Sequence, residues 1–278
     1  MSIPNTFAHD TLAFVGGGNM ASALIGGLCK TGCAPASILV IEPFETQRQR
    51  LSAEFGVRTL AAADSTLQSA SLVVWAVKPQ LFSAAAGPCA PWVAQALQLS
   101  VMAGIRSDAI CRATGSARVV RSMPNTPALI GRGIAGLYAT SQVTGDERAR
   151  VEQVLAPTGQ TLWVEREADL DAVTALSGSG PAYVFYFVEA MVAAAIEMGL
   201  SAEQGKRLAL ATFEGSTVLA AQSDEAVAVL RERVTSKGGT TYAGLQSLRA
   251  DAVDAAIVRA VRAAQQRAKE LGDEFGVA

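Results

Sequence analysis

The chain has 278 residues, 50% apolar and 17% charged, and a formal net charge of −2. This is the composition of a well-buried globular protein of one large or two smaller domains, and it excludes a disordered chain. The near balance of 23 basic against 25 acidic residues leaves no broad electropositive face, which counts against nucleic acid as a partner.

The first ten residues, MSIPNTFAHD, lack a basic segment followed by an apolar one, so no leader is expected. They hold the single histidine, His9, among Asn5, Thr6 and Asp10, surroundings that argue against a catalytic base. From there to about residue 165, short apolar runs alternate with helical stretches. Thr11–Val15, Ile38–Ile41, Leu72–Val77, Leu97–Met102, Val119–Arg121 and Ile134–Ala139 read as strands covered on both faces. Asn19–Lys30, stopped near Gly32, and the Gln/Arg-rich stretch between Phe44 and Phe55 read as helices between them. This alternation predicts an open, mainly parallel α/β sheet with right-handed crossovers.

After about Val164 the strands stop and alanine-rich helices take over. Pro181 suits the first turn of a helix and Gly199 its end. Tyr183–Ile196 is apolar almost all round, so it must be buried on most sides, and a partner chain is the expected cover. Ser201 is expected to cap a helix running toward Gln222, Ser223 to start another, and Ala250–Leu271 to form a last long helix ending at Gly272. Apolar stretches such as Ala190–Ile196 fall short of the roughly 20 residues that cross a bilayer, so no membrane is expected. Cys29, Cys33, Cys89 and Cys111 show no CxxC spacing, and with one histidine no metal site is expected. The cysteines read as small hydrophobes of a cytoplasmic protein.

The first strand runs into Gly16-Gly17-Gly18-Asn19-Met20-Ala21, a G-x-G-x-x-A dinucleotide fingerprint with a strand before it and a helix after it. Gly16 permits the tight turn, Gly18 lets backbone approach a pyrophosphate, and Ala21 lets helix and strand pack closely. Glu42 ends the second strand. A carboxylate there accepts from the adenine ribose 2′-hydroxyl and repels a 2′-phosphate, which favours NADH, although Arg48 and Arg50 lie near enough in sequence to hold a phosphate. Two further loops fall at strand ends: Ala76-Val77-Lys78-Pro79-Gln80, whose lysine suits an anion, and Met123-Pro124-Asn125-Thr126-Pro127, whose Asn125 suits a nicotinamide or substrate edge. In the helical half, Leu176–Pro181 and Val234–Thr241 place glycines and hydroxyls at helix starts, which suits a small carboxylate or plain capping by Ser179 and Thr240.

Taken in order, GGGNMASALIGGL, AVKPQ, MPNTP, ALSGSGPAY and VTSKGGTT resemble pyrroline-5-carboxylate reductase over nearly the whole chain. The resemblance implies reduction of L-1-pyrroline-5-carboxylate to L-proline, the last step of proline biosynthesis. It implies NADPH as cofactor, with NADH admitted by Glu42. It also implies an N-terminal Rossmann-type doubly wound domain (residues 1–165) and an all-α C-terminal domain (residues 166–278) that intertwines in a dimer and admits larger rings up to a decamer. By the same resemblance, Val15, Gly16, Gly17, Gly18, Asn19 and Met20 form the pyrophosphate turn. Ala76, Val77, Lys78 and Pro79 form a cofactor loop, and Val101, Met102 and Ala103 line the nicotinamide pocket. Gly239, Thr240 and Thr241, with Ser179, hold the substrate, and Thr241 aligns with the threonine that bonds the imine. Asp224 falls where some members place an acid, but a helix cap is favoured here. Two positions depart: Lys237 stands where the family often has proline, and Glu42 replaces the small or hydroxylated residue of NADPH-preferring members.

That chemistry suits a chain with one histidine. Reducing a cyclic imine needs a hydride on carbon and a proton on nitrogen, and the substrate can arrive already protonated. A β-hydroxyacid dehydrogenase is the nearest rival, but Lys206, Lys237 and Lys269 occur in no matching lysine motif. A cofactor sensor without chemistry would have no need of both SGSGP and KGGTT.

Overall fold

The apolar runs of the first half pair edge to edge in one sheet. The structure, a computed structural model, describes residues 11–275; His9, with Asn5, Thr6 and Asp10, lies outside them. Eight strands make the sheet: β1 (Thr11–Val15), β2 (Ile38–Ile41), β3 (Arg58–Leu60), β4 (Ala70–Trp75), β5 (Leu97–Ser100), β6 (Val119–Met123), β7 (Gly133–Ala139) and β8 (Gly159–Trp163). Their order is β3-β2-β1-β4-β5-β6-β7-β8. All neighbours are parallel except β6 and β7, whose connection is too short for a crossover helix.

Helices α1 (Asn19–Lys30), α2 (Glu45–Phe55), α3 (Phe82–Val93), α4 (Ser107–Thr114) and α5 (Gly145–Leu155) cover both faces. Strand periodicity divides the core: Leu12 and Phe14 point to one side with Leu24 and Val151, while Ala13 and Val15 point to the other with Ala86 and Val93. The chain reverses direction across the sheet between β1 and β4, the position where open α/β sheets bind ligands.

The remaining helices are α6 (Asp169–Val173), α7 (Gly180–Glu197), α8 (Ala202–Ala221), α9 (Val227–Arg233), α10 (Thr240–Ala250) and α11 (Val253–Phe275). Two compact units result, one of residues 1–179 with 264–278, the other Gly180–Ala263. The division expected at 165/166 is displaced because α6 lies on β7, where the absent Cβ of Gly136 leaves room for Val173. The end of α11 returns to the first unit through Arg106, whose guanidinium lies 2.9 Å from the Asp273 carboxylate.

Four expectations about elements are corrected. Leu176–Pro181 leads into α7, which begins at Gly180 with Pro181 in its first turn, but Ser179 is no N-cap: Thr174–Gly178 is a π-helical turn joining α6 to α7, and the Ser179 N–H donates to Thr174 O at 2.8 Å. The wider turn accommodates Pro181, which has no N–H to give. The joined run Asp169–Glu197 is then long and apolar enough to cross a membrane by length and composition, contrary to the sequence reading. Gly272 does not end the last helix; it lies inside α11, where a Cβ would stand 2.7 Å from the Arg106 guanidinium. Ser223 and Asp224 precede α9 without capping it, since Ala226 is its N-cap. Ser201, in contrast, caps α8 in a reciprocal box with Gln204.

Candidate functional site

The G-x-G turn owes its shape to two backbone anchors. Gly16 N–H donates to Ile41 O, and Ala76 N–H donates to Val15 O, both at 2.9 Å. Gly16 adopts φ +97°, and a Cβ there would stand 2.7 Å from Ala76 O, so only glycine fits. Gly18 is the N-cap of α1 with nothing within 4 Å of a built Cβ, and no side chain satisfies the first-turn N–H groups of Asn19 and Met20. This is a cradle for an anion: open space, free donors and the positive end of a helix dipole.

The cradle opens into a cavity of about 890 Å³, ample for a dinucleotide's adenosine half. The cavity gathers Val15, Gly16, Gly17, Gly18, Glu42, Ala76, Val77 and Lys78 from three separate stretches of sequence. Ala61, Ala62, Ala63, Leu81, Ala84 and Pro88 supply a flat apolar wall that the sequence reading missed. The alanine triplet just after β3 was the available signal, hidden because β3 is only three residues long. Cys89 also lines the cavity, but burial pushes its thiol up to about 11, which keeps it protonated and unreactive at neutral pH.

Glu42 is 6% exposed, with both oxygens engaged: Oε2 accepts from Gly17 N–H at 2.9 Å and Oε1 from Phe44 N–H at 3.0 Å. Neither of the two arginines considered for a phosphate is among the residues lining this cavity. Arg48 donates to Glu42 O and Pro43 O, and Arg50 pairs with Glu54 and faces a different cavity, beside α1. Lys78 is the one cationic residue among those lining this cavity.

Other expected residues stand at neighbouring strand ends. Val101, Met102 and Ala103 follow β5, with Val101 N–H donating to Trp75 O. Pro79 begins the turn after Lys78. Asn125 follows β6, and its Oδ1 accepts from Ile134 N–H at 3.0 Å. The π turn lies against the end of β6, since a Cβ on Gly178 would meet Met123 Cε at 2.7 Å; this brings Ser179 near that loop.

Gly239, Thr240 and Thr241 belong to the second unit. Gly239, not Thr240, is the N-cap of α10, and no side chain caps the helix. Gly238 turns the chain at φ +73°, and a Cβ on Gly239 would meet Ser236 Oγ at 2.5 Å. Thr240 and Thr241 are therefore the first residues of the helix, with exposed side chains and first-turn N–H groups available to an acceptor. Among the described residues no group of three or more His, Cys, Asp or Glu is arranged to hold a metal.

Comparison with known proteins bears on both halves. Residues 167–271 match the family model for pyrroline-5-carboxylate reductase dimerisation, and residues 11–104 match that for NADP oxidoreductase, coenzyme F420-dependent. A pyrroline-5-carboxylate reductase of Pseudomonas aeruginosa is 41% identical over 95% of this chain and 98% of its own. The structure of a Coxiella burnetii pyrroline-5-carboxylate reductase superposes with a TM-score of 0.89 at 33% identity, covering 95% of this chain and 98% of that one. A Plasmodium falciparum pyrroline carboxylate reductase crystallised with NADP bound gives 0.83 at 29%, with coverage of 95% and 98%.

Proposed function

The chain belongs to the pyrroline-5-carboxylate reductase family, and we propose that it joins hydride delivery from the Gly16–Gly18 cavity to a cyclic imine carboxylate held at the start of α10. The reaction is reduction of L-1-pyrroline-5-carboxylate to L-proline, the last step of proline biosynthesis, and the chain self-associates through its C-terminal domain. That assembly accounts for the apolar run Asp169–Glu197, which the dimerisation model covers. The observation that carries the reading is the uncapped start of α10, with Gly239, Thr240 and Thr241 in sequence.

A bound nicotinamide dinucleotide supplies the hydride; the residues do the rest. Gly16, Gly17, Gly18 and the first turn of α1, through Asn19 and Met20, bind the pyrophosphate, and Glu42 accepts from a ribose hydroxyl. Ala76, Val77, Lys78 and Pro79, with Val101, Met102, Ala103 and Asn125, frame the nicotinamide side. The α10 N–H groups bind the substrate, with its carboxylate at the helix N-terminus. The Thr241 hydroxyl orients the ring nitrogen and holds its proton. Holding the acceptor in place accounts for on the order of 7–11 kcal/mol of barrier lowering without a strong acid. Because Glu42 lines the cavity and neither nearby arginine does, NADH is favoured over NADPH.

The test is oxidation of NADH and of NADPH by the purified protein with pyrroline-5-carboxylate as acceptor. Acceptor-dependent oxidation with the higher kcat/KM for NADH is expected. No oxidation of either would overturn the reading, whereas a strong NADPH preference would remove only the role given to Glu42.

A further inference from the structure

We infer that Gln47 is a positioning residue: with Glu42 it clamps the backbone of Gly17 from both sides, so the group that selects the dinucleotide also holds the phosphate loop in shape. The inference rests on reading this cavity as the dinucleotide site. The Gly17 N–H donates to Glu42 Oε2 at 2.9 Å, and the Gly17 carbonyl accepts from Gln47 Nε2 at 2.5 Å. Both backbone polar groups of one residue, in the two peptides that flank its Cα, are thus held by side chains from beyond β2, Glu42 just past the strand and Gln47 from the first turn of α2. The position has no slack, because a Cβ on Gly17 would stand 2.6 Å from Leu51 Cδ1 and 3.3 Å from Glu42 Oε2. Arg48 braces the same turn from behind by donating to Glu42 O at 2.9 Å and Pro43 O at 2.7 Å. Gln47 and Glu42 also line the cavity, so the clamp borders the ligand.

The consequence concerns discrimination. Each Glu42 oxygen already accepts one backbone N–H and retains a lone pair for a ribose hydroxyl. A 2′-phosphate meets the carboxylate directly. Glu42 cannot swing aside to admit it without leaving the buried Gly17 N–H unpaired and loosening the loop that binds the pyrophosphate. Selection against the phosphate is therefore coupled to loop shape, and substitutions at Glu42 act on both.

The test is calorimetric titration with ADP-ribose and 2′-phospho-ADP-ribose, which report the adenosine half without turnover, alongside steady-state kinetics. Gln47→Ala is expected to weaken both ligands by about fivefold, the worth of one hydrogen bond, leaving their ratio unchanged and raising KM for the dinucleotide more than it lowers kcat. Gln47→Met, which keeps the stem and removes the donor, should behave alike and serves if the alanine variant does not fold. Glu42→Gln, which keeps one acceptor oxygen for either Gly17 or Phe44 and loses the charge, should narrow the discrimination by about tenfold while weakening ADP-ribose less than Glu42→Ala does. Glu42→Ala should narrow it too but weaken both ligands. Gln47 variants that bind both ligands as the parent does would overturn the clamp, as would equal ADP-ribose affinity in Glu42→Ala and Glu42→Gln. Failure of the parent protein to bind either ligand would instead overturn the reading of the cavity, and the clamp with it.

Discussion

Thr241 is the second residue of α10, exposed, at a helix start that no side chain caps. Replacing it with alanine removes one hydroxyl and spares the helix, so the effect falls on chemistry. Thr241→Ala is expected to lower kcat about tenfold, less than the 10²–10⁴ of a true general acid, with the dinucleotide Kd unchanged by titration. Full kcat/KM in that variant would make Thr241 a helix residue and nothing more. At this scale the sequence was readable where backbone geometry dictates residue type. Gly16 was legible because a turn at positive φ against Ala76 O admits only glycine. Gly17 was placed in the same turn by resemblance, but the reason it must be glycine was not legible, because that constraint comes from Leu51 and Glu42, which are remote in sequence, and the fingerprint leaves its position open. Gln47 was hidden for the same reason: nothing in a polar helix reveals that one amide reaches a glycine carbonyl 30 residues away.

Among elements, those with long apolar runs were legible and the short or edge ones were not. β3 has three residues with Arg58 exposed, and β8 alternates half-buried and exposed positions at the other edge of the sheet. Neither buries enough apolar surface to show as a run. The SGSGP segment misled because serine and glycine ordinarily signal a helix start, whereas here a π turn carries the helix through them. Helix α7 was read correctly as too apolar to stand alone. Within the second unit it packs on α8, where Gly205 lets Ala195 approach, yet Tyr186 remains 72% and Phe185 59% exposed. Each such ring is worth roughly 1.5–3 kcal/mol when covered. Introducing Phe185→Glu and Tyr186→Glu together is expected to shift the protein from an oligomer to a monomer by light scattering. Retention of the native mass would place the interface elsewhere.

For the whole molecule, composition and alternation sufficed for the fold class but not for the division of the chain. The helical half recognised as a dimerisation domain runs over residues 167–271, while the compact unit begins at Gly180 and loses the end of α11 to the sheet domain. Packing of α6 on β7 and the Arg106–Asp273 pair cause that difference, and both join residues distant in sequence. Family membership and the two sets of free helix-start N–H groups together make one claim: hydride passes from the dinucleotide to the imine carbon of a substrate held by this chain. Supplying NADH deuterated at the transferring position and analysing the product by mass spectrometry tests it most directly. The account predicts L-proline carrying one deuterium at the ring carbon formerly double-bonded to nitrogen. Proline formed without the label, or no proline at all, would contradict it.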